Sequence, residues 1–189
     1  MWEKMKAVCK KAKNYLTLLA FILGILAFLM AFIPSVRVSF GHKDSFFDRL
    51  IVYMNILKKN SIHAEYYWNY FWQFFNILSI FFLPIISCVF IAISKIKKDK
   101  FYYFLAAIGF AMAVIFVLVE SVLGMFSYME WWPLDRALEL LQYNYFPMLL
   151  NGIFSILAGV CLIPSLINFI KEGKKKENPK NEGMDNENL

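Results

Sequence analysis

Four long apolar stretches leave this chain few options. They run from Tyr15 to Ile33, from about Tyr67 to Ser94, from Phe101 to about Tyr128, and from Tyr145 to Ile170. Crossing the hydrocarbon of a bilayer takes roughly 20 helical residues, and all four stretches are near or beyond that length. Glu120 is the only charged residue inside any of them. Across the whole chain 60% of residues are hydrophobic and 18% charged, whereas a soluble domain runs nearer half apolar and about a quarter charged. This excludes a secreted disulfide scaffold, a disordered regulator and a free cytosolic enzyme. The expected fold is all-α: an integral membrane four-helix bundle, with short amphipathic helices in the two external loops. The expected organisation is a basic N-terminus at 1–14, a transmembrane domain at 15–170 with helices at about 15–33, 67–94, 101–128 and 145–170, and a disordered tail at 171–189.

Lysine placement sets the expected orientation. Residues 1–14, the short turn Lys95–Lys100 and the start of the tail at Lys171 are all lysine-rich, while the segment Glu130–Asn144 holds only Arg136. Positively charged short loops stay in the cytoplasm, so both termini are expected inside a cell membrane, with 35–66 and 129–144 outside. The 35–66 loop dissents with Arg37, Lys43, Arg49, Lys58 and Lys59, but it is long and carries Asp44, Asp48 and Glu65 as well. The first apolar run is longer than a signal-peptide core and lacks a small-x-small cleavage site, so it reads as a retained anchor.

Two features of the loops have local logic. Ser35 to Phe40 alternates with period two, the pattern of a strand that needs a partner. From Asp44 to Asn60 the pattern is helical, opened by Ser45 with Asp48 three residues on, a capping-box spacing. Phe47, Leu50, Ile51, Met54 and Leu57 share one face of that helix, and Asp48, Arg49, Asn55, Lys58 and Lys59 fill the rest. In the second loop Pro133 suits the first position of a short helix over Leu134 to Gln142.

Catalytic patterns are sparse. Cys9, Cys88 and Cys161 form no pair in an external loop, so no disulfide framework or redox pair is expected. His42 and His63 lie twenty-one residues apart without a metal-ligand spacing. No phosphate-binding glycine loop and no nucleophile–base pair occurs at membrane depth. No metal and no cofactor is expected, and the enzyme class is the least supported. The net charge of +6 sits at the ends of the apolar blocks, where it meets the lipid bilayer and not nucleic acid.

The residues that remain are polar ones within the blocks. A carboxylate in hydrocarbon costs several kcal/mol (about 2.5 or more) unless protonated, paired or hydrated. Glu120, Asn76 and Asn151 fall at similar outward depths, with Gln73 and Asn69 on the Asn76 face. Small and polar residues at helical spacing mark helix contacts, so Glu120 is expected to face Gln73, Asn76 and Asn151 inside the bundle. It either fixes helix register or serves as a proton or cation site. Aromatic residues crowd the outer ends: Trp68 and Trp72 open the second helix, and Trp131 and Trp132 follow the third. They read as an interfacial belt or as a surface for a partner.

The layout resembles that of claudins, with two external loops on four helices and a strand-like segment after the first. The resemblance is one of topology alone: the W-x-x-W-C-C pattern of claudins is missing, and the cysteine-rich loop of tetraspanins is missing too. Two function classes follow. One is a non-enzymatic scaffold, anchor or accessory subunit that meets another membrane protein or a second copy of itself through the aromatic outer end. The other is a small channel or transporter subunit that uses Glu120.

Overall fold

Glycine positions set how closely the helices approach. The computed structural model describes the backbone of residues 2–33, 35–36, 43–58, 64–129 and 134–177, and the side chains of residues 12–33, 45–58, 68, 70–122 and 146–171. The first helix, α1 (Trp2–Leu29), includes the basic N-terminal stretch as well as the first apolar block and ends in a single 3-10 turn, Met30–Phe32. Ile33 is extended (φ −77°, ψ 124°), the conformation imposed on a residue before proline. Just beyond, β1 (Ser35–Val36) pairs antiparallel with β2 (Lys43–Asp44), Ser35 opposite Asp44. The alternating segment therefore finds its partner within the same loop.

The capping box at Ser45 is complete and opens α2 (Phe46–Leu57). Asp48 N donates to Ser45 Oγ at 3.1 Å, and both Ser45 N (2.9 Å) and Ser45 Oγ (2.6 Å) donate to Asp48 Oδ2. These contacts satisfy amides that a helix start leaves bare. The side that α2 buries is not the one centred on its apolar stripe. Phe46 and Arg49 are buried, while Phe47, Ile51 and Met54 are exposed. The apolar stripe that would mark the core side in water faces outward here, because the surroundings of this helix are apolar.

Three long helices complete the chain: α3 (Ala64–Lys97), α4 (Phe101–Met129) and α5 (Leu134–Glu177). The segment expected as a separate loop helix at 134–142 runs without a break into the fourth apolar block. Leu134 to Tyr145 contains no glycine or proline and is rich in strong helix formers, so nothing stops the helix. Its C-terminal end also passes the apolar block and reaches Glu177. The tail from 178 lies outside the described residues. Among the described residues four segments are long and apolar enough to cross a membrane: Ala12–Phe32, Tyr70–Lys97, Phe101–Val122 and Phe146–Lys171.

These four pack in a ring, α1 against α3 and α5, and α4 against α3 and α5. Two apolar clusters fill it. One, at the end away from α2, is built on Phe110, Leu162, Ile91 and Tyr103. The other is built on Ile80, Phe81, Val117 and Met148, and it includes Phe46 of α2. The loop helix is thus part of the bundle core. Two glycines allow close approach: a Cβ at Gly24 would collide with Cys88 Sγ and lie 2.9 Å from Phe110 Cζ, and one at Gly109 would collide with Ser87 Oγ. The outward faces carry Leu18, Ile22 and Leu26 on α1, Phe82, Ile86 and Val89 on α3, Ile108, Met112 and Ile115 on α4, and Ile153, Ile156 and Val160 on α5. Continuous apolar surface on every side suits lipid, not water.

Candidate functional site

The polar side chains inside the half of the bundle nearer α2 are held at two levels. At the first, Asn76 of α3 and Glu120 of α4 meet: Asn76 Nδ2 donates to Glu120 Oε2 at 3.3 Å. Asn76 is fully buried and Glu120 is 9% exposed. The loop helix brings Arg49, 8% exposed, close enough for its positive charge to act on the Glu120 carboxylate. The Arg49 guanidinium also lies 4.6 Å from the centroid of the Phe46 ring, a cation–π distance. Gln73 is half-buried on α3, nearly one turn outward of Asn76.

Arg49 is the residue that sequence reasoning missed, having placed it only among the polar residues beside the apolar face of α2. A signal was present, since Phe46, Arg49 and Tyr53 are spaced i, i+3, i+7 and share a face. The face an arginine chooses in lipid is the one that points into protein.

The second level belongs to Asn151 of α5, which is fully buried. Its Nδ2 donates to Ala27 O of α1 at 2.7 Å and to Ile80 O of α3 at 3.3 Å. Both carbonyls need an outside donor. Pro84 lies inside α3 and has no N–H to offer Ile80 four residues back. Ala27 sits in the last turn of α1, where helical carbonyls run out of donors. One carboxamide thus serves two helices at once. Glu120 and Asn76 are joined directly, while Asn151 is engaged with backbone one layer further in.

Some buried polar atoms among the described residues have no hydrogen-bond partner: Asn76 Oδ1, Asn151 Oδ1, Ser87 Oγ, Ser155 Oγ and Ser165 Oγ. Ser155 also lines a groove of about 430 Å³ between α4 and α5, walled by Ala107, Ala111, Gly159 and Val160. At the outer end of α3, Trp68 is 69% exposed, with Phe71, Trp72 and Phe75 exposed along the same helix. Trp68 meets Phe71 edge-on at 5.9 Å, and Trp72 stacks on Phe75 at 6.0 Å. Trp131, Trp132, His42 and His63 lie outside the described residues, as does the Asn69 side chain. Among the described residues no three His, Cys, Asp or Glu side chains come together as a metal site would require.

Four apolar spans closed into a bundle, with an amphipathic helix seated on one end, define a polytopic, four-span integral membrane protein. No protein-family model matches the chain, and neither the curated proteins nor the solved structures include one significantly similar to it.

Proposed function

We propose that this protein is a non-enzymatic scaffold, anchor or accessory subunit of a cell membrane, with both termini cytoplasmic, that meets a membrane partner through its aromatic outer end. The observation that carries this reading is the setting of Glu120. Its carboxylate accepts from Asn76, so the one acid in the spans is tied to α3, with the buried Arg49 of α2 nearby. A buried polar contact of this kind between helices favours a particular arrangement of them. Below it, the inner half of the bundle is closed by Phe110, Leu162 and Ile91, which offer an ion no ligands. Trp68, Phe71, Trp72 and Phe75 form an exposed aromatic row along the start of α3.

The unpartnered Asn76, Asn151 and Ser155 oxygens favour a second reading, a channel or transporter subunit, because orphaned buried acceptors are where internal water binds. Flux measurements on reconstituted vesicles separate the two. Wild type and the charge-balanced Arg49→Met/Glu120→Gln variant should both be silent to protons and monovalent cations. Flux in wild type that the double variant lacks would end the scaffold reading. Photo-crosslinking from position 68 or 72 in cells should give one stoichiometric membrane adduct, and an array of unrelated weak adducts would count against the aromatic surface.

A further inference from the structure

The end of the bundle opposite α2 gathers lysines from three separate stretches of sequence. Lys95, Lys97, Lys98 and Lys100 come from the α3–α4 turn. The Lys95 Nζ donates to Asn14 Oδ1 at 3.1 Å, which places the start of the α1 span, with Lys13, beside them. Phe169 of α5 packs on Phe101 and Phe104 at 6.4 and 6.3 Å, which brings Lys171 to the same end. The spans start or stop at Ala12, Lys97, Phe101 and Lys171, so these ammonium groups stand at headgroup depth.

The turn is built to present charge. Its only acid, Asp99, directs Oδ1 to the Phe101 amide at 2.9 Å, and its carbonyl accepts from Ser94 Oγ at 2.7 Å. The carboxylate is thus turned toward the backbone of α4. Lys97 Nζ lies 5.6 Å from the Tyr102 ring centroid and 3.4 Å from its hydroxyl oxygen, which holds a long side chain in one region. Lys98 adopts φ 54°, a left-handed helix stop where glycine is the residue usually found. Ile96, between Lys95 and Lys97, is 80% exposed, an apolar side chain available to acyl chains beside the cations.

We propose that this lysine-rich end is a binding surface for anionic phospholipid headgroups, with Lys97 and Lys98 as its principal contacts. Charge complementarity selects the ligand: several cations at headgroup depth, with the nearest acid engaged by backbone, favour phosphate groups that keep their negative charge over zwitterionic ones. Pinning of Lys95 and Lys97 before binding lowers the ordering cost. The proposal is independent of the partner reading above, because it concerns the opposite end of the molecule.

The test uses the full-length protein in detergent, with its unfolding midpoint followed while phosphatidylglycerol, phosphatidylcholine or inorganic phosphate is titrated in. Phosphatidylglycerol should raise the midpoint at a concentration well below that needed of phosphatidylcholine, and inorganic phosphate alone should not. Each lysine near an anionic surface is worth about fivefold. The Lys97→Gln/Lys98→Gln variant should therefore need about 25-fold more phosphatidylglycerol with an unchanged response to phosphatidylcholine, and Lys58→Gln at the other end should behave as wild type. If the double variant does not fold, the wild-type preference should still vanish near 1 M salt, where the screening length is about 3 Å. Equal responses to the two lipids, a salt-insensitive preference, a variant that matches wild type, or a full effect from inorganic phosphate would each overturn the proposal.

Discussion

Asn151 donates its amide to the carbonyl oxygen of Ile80 at 3.3 Å, the carbonyl that Pro84 leaves without a donor in its own helix. A proline that weakens α3 and an asparagine on α5 that repairs it form one unit. Asn151→Leu should lower stability by about 1–3 kcal/mol, since it strips donors from two buried carbonyls. In a Pro84→Ala background α3 regains its own bond to Ile80, so the same change should cost about half as much. Thermal unfolding of the four proteins in one detergent measures this coupling. Costs that simply add would mean the two residues act separately.

Arg49 and Glu120 should show a second coupling. Glu120→Gln or Arg49→Met alone removes one of two charged groups buried near each other, at a cost of about 1–3 kcal/mol. The double substitution removes both charges and should recover most of that loss. The readout is a double-mutant cycle on the unfolding free energy. If either single variant is as stable as wild type, the electrostatic seat of α2 is not a significant part of the fold.

The contact of α1 with α3 and α4 depends on the absence of a side chain at Gly24. Gly24→Ala would force a methyl group into Cys88 Sγ and the Phe110 ring, and overpacking of this kind costs about 1–3 kcal/mol. Cys88→Ala should rescue part of the loss by removing one of the two obstacles. Glycine-to-alanine at this site without effect would show that the helices are further apart.

Acid should loosen α2 from its N-terminal end. The hydrogen bonds from the Ser45 side chain and backbone hold the Asp48 carboxyl below the ordinary carboxylate range. A depressed folded-state pKa means the group stabilises α2 fully above the ordinary range and loses that contribution as pH falls through the lower folded value. Amide exchange in the first turn of α2 should therefore accelerate, relative to its intrinsic rate, below about pH 4. Ser45→Ala should cost about 1 kcal/mol and weaken this pH dependence, since the backbone amide at position 45 still donates to Asp48. Exchange ratios flat across that window would count against it.

Orientation is open to a direct check with single cysteines at exposed positions, after replacement of Cys9, Cys88 and Cys161. Lys58→Cys at the end of α2 should react with an impermeant maleimide on intact cells, and Lys98→Cys in the α3–α4 turn should react only after lysis. The reverse pattern would invert the topology.

The sequence by itself determined that the chain spans a membrane four times, because hydrocarbon accepts helices only where some twenty residues carry almost no charge. It also determined local events that depend on near neighbours: the stop at Pro34, the Ser45–Asp48 cap and the polar character of Asn76, Glu120 and Asn151. The tertiary structure decided what those polar groups meet. A hydrophobic stripe points to the core in water, but in lipid it is free to face outward, so the stripe alone could not reveal that α2 turns Arg49 inward and leaves Phe47 and Ile51 outside, and the shared face of Phe46, Arg49 and Tyr53 was the only hint. Nor could it reveal the donor for Ile80, since the carbonyl freed by Pro84 is a backbone group and its partner lies 71 residues away on another helix. Long-range pairing follows from how the helices rotate and pack, and that rotation is fixed by the joint fit of Gly24, Gly109, Phe110 and their neighbours, which no single segment encodes.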